Sequence, residues 1–467
     1  MEYLSIIKNA KLADYGPVHG GIIILPYGVQ IWKRITIELS RILEKTGHEQ
    51  VYFPLLIPEN FFEKEKQWIP ELCPRNYTIT KVGNNKLNEP LVVRPTSELI
   101  ASYMFAKWIG SFRDLPIKVF QWVNVVRSEM VTHPFIKGTE IQMLEGHTSH
   151  ATHESAIKEI DAITDVFYHF FTDFLKIPVI FGEEVKSKRF PGSLSTRTFD
   201  TITPNGQALQ LAAIYDLGQL FAEQFKIKYR DTDNIAKLCW TTDWGLGFRL
   251  IGALALIHSD ERGLKLPSTI APCQVYIILL TSQKSLREII EGTGNKIRRI
   301  LDNKQIRSKI ITQGNDSLGK VIKETESFGI PISILIGDDE IKNNNITLVL
   351  REKALFENRI KIEIKDLVKV VLSSLKEHDA LLLKNACDTI YSKQRICASK
   401  EEIDDCLINN NWVYAPWCGE ANCERKAIDE LKYNIRMYNI DNNIKRKATC
   451  VFCNKPAKYK ILIAHKF

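Results

Sequence analysis

The stretch from Gln121 to His150, QWVNVVRSEMVTHPFIKGTEIQMLEGHTSH, limits what this chain can fold into more than any other. Its first part alternates apolar and polar residues and is rich in Val and Trp, the pattern of a half-buried strand. Glu140 to His147 alternates again. A period of two puts Ile141, Met143, Glu145 and His147 on one face, and Arg127 and Glu129 on one face of the preceding strand. The intervening VTHPFIKG carries Pro, Gly, Lys and His. The pattern predicts an antiparallel pair joined by a mobile basic loop and lining a polar pocket. Ionisable groups gathered on a face that should be core mark a site. A charged face turned to solvent is the bland alternative. Trp122, Val123, Val125 and Val126 argue against it, because both faces carry apolar bulk.

At 467 residues the chain exceeds one compact core, so two or three domains are expected. A formal charge of +8 permits a polyanionic partner without demanding one. No secretory signal is evident at the N-terminus and no apolar run is long enough to span a bilayer, so a cytoplasmic protein with no membrane association is expected.

Helical spacing of Ile31, Trp32, Ile35, Leu39, Ile42 and Leu43 predicts a helix over 29–45, stopped by Gly47. EQVYFPLLIP reads as one strand, which Pro54 confines to an edge or interface. Residues 68–90 read as a polar surface excursion. LVVR then forms a strand that stops at Pro95, and Thr96 or Ser97 can cap the following helix, with Glu98 complementing its dipole. A helix over 154–175 and a charged loop over 181–190 follow. RTFDTITPNGQALQLAAI reads as two strands around a Pro-Asn-Gly turn, and CWTTDWGLGF as strand or turn. RLIGALALIHS is an apolar helix that begins at Arg249, a poor place for a cation in the helix field, so Arg249 wants an anion or carboxylate partner. Beyond a Pro-rich boundary, strands alternate with helices, the rhythm of a separate α/β domain. A basic helical stretch over 364–391 leads to the tail.

Ten cysteines in a reducing compartment point to thiols or metal. Six, at 73, 239, 273, 387, 397 and 406, read as inert small hydrophobes. Cys418 with Cys423 and Cys450 with Cys453 form two short-spaced pairs, which can close a tetrahedral thiolate site for Zn²⁺. Four thiolates leave no open position, so the zinc would be structural. Gly419 and Asn454 suit knuckle-like turns beside them.

The residues alone offer Arg127 with Glu129, Glu145 with His147, Thr96 with Glu98, and Arg249. No nucleophile triad, GxxxxGK[ST] loop or GxGxxG turn accompanies them. Catalysis on such a set rests on positioning and charge neutralisation, as in phosphoryl and nucleotidyl transfer.

These segments together resemble the prolyl-tRNA synthetases of the archaeal and eukaryotic type, a family of class II aminoacyl-tRNA synthetases. ADYGPVHGGIIILPYG and YFPLLIPENFF resemble the family's start and motif 1, with Pro54 as the motif-1 proline. PLVVRPTSE resembles its TxE element, VNVVRSEM its motif 2, and RLIGALALIHSDERGLKLP its motif 3; EGHTSH is highly specific to it, and the cysteine spacing matches its zinc domain. The resemblance implies an α+β fold: a class II antiparallel sheet with flanking helices over 1–270, an α/β anticodon-binding domain over 271–375, and a small zinc-binding domain over 376–467. It implies a homodimer through motif 1, activation of L-proline by ATP and Mg²⁺, and transfer to tRNA(Pro). Arg127 and Arg249 would be catalytic. Thr96, Glu98, Arg127, Met143, Glu145, His147 and Tyr215 would hold proline. Arg127, Glu129, Ile136, Lys137, Gln210, Ala213 and Arg249 would hold ATP, with the loop over 136–138 above the nucleotide.

Several positions depart from the family pattern. Ala213 stands for a threonine, Tyr215 for a histidine, Gly247 for a serine or threonine, Met143 for a tryptophan, Lys137 for an arginine and Phe467 for a tyrosine. Each hydrogen bond lost to substrate costs about 1 kcal/mol. They leave open a second reading, a weakened or inactive paralogue that binds tRNA.

Overall fold

The computed structural model describes residues 2–62, 76–280, 284–353, 358–438 and 448–467. Helix α1 (Pro26–Lys45) buries Ile31, Trp32, Ile35, Leu39 and Leu43 and ends before Gly47, whose φ is +84°. Helix α2 (Glu98–Trp108) follows the strand segment that ends at Val93. Strands β1 (Ile117–Val126) and β2 (Glu140–His150) form the expected antiparallel pair, in register from Ile117 opposite Ser149 to Val126 opposite Glu140. Arg127 and Glu129, expected on one face of that strand, instead lie just beyond the ladder, in the connecting loop, because β1 stops at Val126. Helix α3 (His153–His169) continues through a π turn at Phe170–Phe174. Strands β3 (Ile180–Glu183), β4 (Ser195–Ile202), β5 (Ala208–Gly218) and β6 (Trp240–Gly247) and helix α4 (Arg249–Ile257) complete the first region.

β3, β4, β5, β6, β2 and β1 lie side by side in that order, all antiparallel. Alternation gives this sheet two distinct faces. On one, Leu144, Ile214, Trp244 and Leu246 join Phe167, Phe171 and Phe199 in the main core. Gly146 is required there: a Cβ would come within 2.1 Å of the Trp244 ring. The opposite face carries the polar residues.

Three local expectations needed correction. EQVYFPLLIP is two short strands in different sheets, Glu49–Gln50 beside β1 and Leu56–Pro58 beside residues 91–93. Pro54 lies between them, its carbonyl accepting from Arg94 Nη1 at 3.1 Å; a residue without an N–H is a natural place for the ladder to break. Of the expected excursion over 68–90, residues 68–75 lie outside the described part, and Thr78–Val82 pairs with Asn85–Val93 in a hairpin that turns at Gly83 (φ +58°). The expected loop over 181–190 begins with β3. CWTTDWGLGF, left between strand and turn, proves to be strand: it contains β6, a central one.

Residues 275–362 form a five-stranded sheet ordered Ser308–Thr312, Val275–Leu279, Ile332–Ile336, Ile346–Leu350, Arg359–Ile362, with the first three parallel and the rest antiparallel. The last strand went unread in the sequence. One helix, Leu367–Lys393, carries the chain past residue 375. The four strands that follow extend the large sheet, joining β3 where Tyr438 meets Glu183. No helix among the described residues is long and apolar enough to cross a membrane.

Candidate functional site

Three rows of residues cross the polar face of the sheet. Tyr215, Asp243 and His147 stand opposite one another on β5, β6 and β2. Ala213, Gly245, Glu145 and Gln121 form the next row, and Gly247, Met143 and Val123 the third. The N-terminus of α2 lies over the first two rows. Ser97 occupies the cap position but makes no cap hydrogen bond. Its hydroxyl instead donates to Glu145 Oε2 at 2.5 Å, and Gln121 Nε2 donates to both Ser97 Oγ (2.8 Å) and Glu145 Oε2 (3.1 Å). Thr96 likewise donates to the Glu98 carboxylate. Capping, the structural use expected for these hydroxyls, yields to the site.

Two cavities open on this face. One, of about 340 Å³, is lined by Thr96, Glu98, Arg127, Met143, Glu145, Phe190, Tyr215 and Asp243, among others. The other, of about 200 Å³, is lined by Arg127, Ile136, Ile141, Met143, Gln210, Ala213, Tyr215, Gly247, Phe248 and Arg249, among others. They share Arg127, Met143, Tyr215 and Gly245. A molecule reaching from one cavity to the other would pass Arg127.

The first cavity is acidic. Glu98 is pushed up to about 7, by burial and then by the Asp243 carboxyl beside it, while His147 and Thr96 pull it down. Asp243 is raised well above the usual carboxylate range, by burial first and then by the charge of Glu145. Burial lowers His147. Its Nδ1 lies 3.4 Å from Asp243 Oδ1, an ion-pair distance, yet both shifts favour the neutral forms, so we read a dipolar contact. His147 Nε2 has no hydrogen-bond partner among the described residues. His147 is buried and is not among the residues that line the cavity.

The second cavity is basic. Arg249 opens α4 and donates through Nε to the Ile136 carbonyl (3.0 Å) and through Nη1 to the Gln210 carbonyl (2.9 Å). Arg127 donates through Nε to the Pro95 carbonyl at 2.9 Å. Neither has an ion-pair partner among the described residues, so the carboxylate partner expected for Arg249 is replaced by carbonyls. Burial lowers the Arg249 pKa, but a guanidinium stays charged. Two held, unneutralised guanidiniums are an anion site. Glu129 and Lys137 stand outside the lining and pair with each other at 2.8 Å.

Residues 465–467 pack against the start of β5. Ala208 N donates to the His465 carbonyl and Phe467 N to the Ala208 carbonyl, while the Phe467 ring meets Tyr3 and His133 edge-on. Arg436 pairs with the buried Asp200 at 2.6 Å, and Asp200 stands opposite Gln210. The C-terminal region thereby braces the strand that carries Gln210.

Cys418, Cys423, Cys450 and Cys453 converge, with all four sulfurs within 4.8 Å of one another. Tetrahedral Zn²⁺ with Zn–S of ~2.3 Å spaces its sulfurs roughly 3.8 Å apart, and Cys453 lies 3.8 Å from Cys418. Gly419 and Asn454 have φ of +84° and +60°, the left-handed turns that knuckles need. The Glu420 N–H points at Cys418 Sγ (3.4 Å). The donor set fits zinc and leaves no ligand position open for substrate. Of the remaining cysteines, Cys73 lies outside the described residues; Cys239, Cys273 and Cys397 are buried.

Sequence reasoning missed Asp243, Ser97 and Gln121 as site residues. Asp243 had a signal: on TTDWGLG, alternation puts it on the face with Gly245 and Gly247 once the segment is read as a strand.

Comparison with known proteins adds an independent line. The profile described as "tRNA synthetase class II core domain (G, H, P, S and T)" matches residues 77–258, "Anticodon binding domain" residues 274–374, and "Prolyl-tRNA synthetase, C-terminal" residues 400–467. The chain is similar to the proline–tRNA ligase of Borreliella afzelii, at 38% identity over 100% of this chain and 97% of that protein. It is 36% identical to the Mycoplasma mycoides ligase, over 100% of this chain and 96% of that one. The crystal structures of prolyl-tRNA synthetase from Cryptosporidium parvum superpose on it at 29% identity. The complex with halofuginone and AMPPNP gives a TM-score of 0.94, covering 100% of this chain and 97% of that one. The complex with L-proline and AMP gives 0.93, covering 100% and 94%.

Proposed function

The chain belongs to the class II prolyl-tRNA synthetases, and on that footing we propose how its own residues carry the reaction. The enzyme activates L-proline with ATP to prolyl-adenylate and transfers the prolyl group to tRNA(Pro). In the first step a proline carboxylate oxygen attacks the α-phosphorus, the α–β P–O bond breaks, and pyrophosphate leaves. In the second the terminal ribose hydroxyl of the tRNA attacks the prolyl carbonyl and AMP leaves.

The larger cavity takes proline and the smaller takes ATP. The observation that carries this assignment is that Arg127 belongs to both linings, and the two reacting groups are anions. Arg127 would hold the proline carboxylate and the α-phosphate together and stabilise the charge that builds as pyrophosphate departs. Thr96 and Glu98 would take the secondary ammonium. Met143, Glu145 and Tyr215 would wall the ring, and His147 would fix that wall from below. Gln210, Ala213 and Ile136 would border the nucleotide, and Arg249 would take its terminal phosphate. Glu129 and Lys137 would contact ATP once their ion pair parts, an exchange of ~1 kcal/mol or less for an exposed pair. Mg²⁺ would accompany the triphosphate and neutralise part of its charge.

Beyond the site, we assign 1–270 to catalysis, 271–375 to the anticodon and 376–467 to a module held by Zn²⁺ on the four cysteines. Exposed Val29 and Ile37 on α1, with exposed Tyr52, Leu55 and Leu56 just after it, supply an apolar surface for a homodimer. Proline-dependent ATP–pyrophosphate exchange by Arg127→Ala tests the central assignment. A fall of about 10²-fold or more in kcat/KM supports it; near-unchanged exchange would falsify it.

A further inference from the structure

We propose that Asp243 is a proline-binding residue that shares one proton with Glu98 in the empty site, and that the secondary ammonium of proline displaces this proton on binding. The inference rests on reading the larger cavity as the amino-acid site. Asp243 sits on the central strand β6, opposite His147 on one side and Tyr215 on the other. It is 4% exposed yet lines the same cavity as Thr96 and Glu98. Its carboxyl neighbours that of Glu98 in the cavity wall, close enough for a hydrogen bond to join the two once one carries a proton. A hydrogen bond between two carboxyl groups requires a proton on one of them.

The surrounding groups leave the pair no compensating cation. Glu145, from β2, is satisfied by Ser97 and Gln121. His147, also from β2, is buried and lowered, so it is neutral near pH 7. Tyr215, from β5, is raised and stays a neutral phenol. Arg94 is spent on the carbonyls of Phe53, Pro54 and Asn124. Arg127, in the same lining, is directed to the Pro95 carbonyl and makes no ion pair with either carboxyl. Two adjacent buried carboxyls without a cation do not both ionise, and they titrate as a pair.

Proline at neutral pH carries one positive nitrogen with two N–H donors. Two carboxylates side by side match that number, one donor to Glu98 and one to Asp243, with Thr96 serving the ammonium through the hydroxyl it donates to Glu98. The nitrogen supplies the charge that lets both carboxyls ionise, and the shared proton passes to solvent. An amide at position 243 has no such proton to release.

Calorimetric titration of the full-length enzyme with L-proline at pH 7, in phosphate and in Tris, measures the protons released. The proposal expects a substantial fraction of one proton per proline, rising toward one at pH 6. The KM for proline in pyrophosphate exchange should fall by close to tenfold per pH unit below the pair's upper pKa and level off above it. Asp243→Asn should release markedly fewer protons and show a KM for proline that depends less steeply on pH and is several-fold higher at pH 8, with the KM for ATP unchanged. Wild-type binding without proton release, or release that persists undiminished in Asp243→Asn, would overturn the proposal. If that variant fails to fold, wild-type proton release and the slope of KM against pH still decide it. An enzyme with no proline-dependent exchange at all would instead refute the cavity assignment.

Discussion

Glu98 shows how a residue's task follows from its surroundings. On a helix N-terminus it has an ordinary role in the helix field, and a reader of the sequence alone would give it that role. In the fold it is buried, accepts from Thr96 and neighbours Asp243, which supports the proposal that it serves a charge arriving with the substrate. Glu98→Gln should therefore raise the KM for proline by roughly 10- to 100-fold, since a hydrogen bond to a charged group contributes about 1.5–3 kcal/mol. The KM for ATP should hold. Steady-state pyrophosphate exchange with each substrate varied reads both, and an equal loss for proline and ATP would contradict the assignment. Alternation alone made Met143 and Glu145 legible as neighbours on one face. The depth of His147 beneath that face was not legible, because a period of two gives direction and not distance. Asp243 stayed hidden while its segment was read as strand or turn.

Among elements, long periodic segments were readable and interrupted ones were not. Helix α1, helix α4 and the β1–β2 pair emerge where their patterns put them. The segment around Pro54 broke in two because its partners, Arg94 and Gln121, lie far along the chain. The join between the first region and the α/β region is likewise built from distant residues. Asp260 accepts two hydrogen bonds from Arg351, at 2.9 and 2.6 Å, and lies 3.3 Å from Lys265. Burial works to raise the Asp260 carboxyl, but the Arg351 hydrogen bond and the charges of Arg351 and Lys265 outweigh it and hold it well below the usual range. A depressed carboxylate stabilises the fold above its unfolded pKa of about 4, and that stability is lost as pH falls further. Asp260→Asn should lower the melting temperature at pH 7 and narrow the gap from wild type as pH drops below about 4. A gap constant from pH 7 to pH 3 would contradict this account.

At the scale of the molecule, the resemblance anticipated the three functional regions but not the continuity of the sheet between the first and the last. The cysteine module hangs on strands that extend the large sheet, and residues 465–467 bond to Ala208 at the start of the strand that carries Gln210. Stripping Zn²⁺ with a strong chelator should therefore lower the melting temperature and reduce pyrophosphate exchange together, with both restored by added Zn²⁺. Exchange untouched in protein verified to be zinc-free would mean that the module is mechanically separate. Sedimentation equilibrium should return twice the chain mass, and a monomer at micromolar concentration would remove the homodimer. The substitutions at Ala213, Tyr215 and Gly247 leave both cavities open and their arginines uncommitted to any carboxylate, which favours an active enzyme over a silent tRNA-binding relative. The most direct measurement is ATP–pyrophosphate exchange by the purified full-length chain with each of the twenty amino acids. The account predicts exchange that is strongest with proline and at least tenfold lower with every other amino acid; no exchange with proline, or stronger exchange with another amino acid, would contradict it.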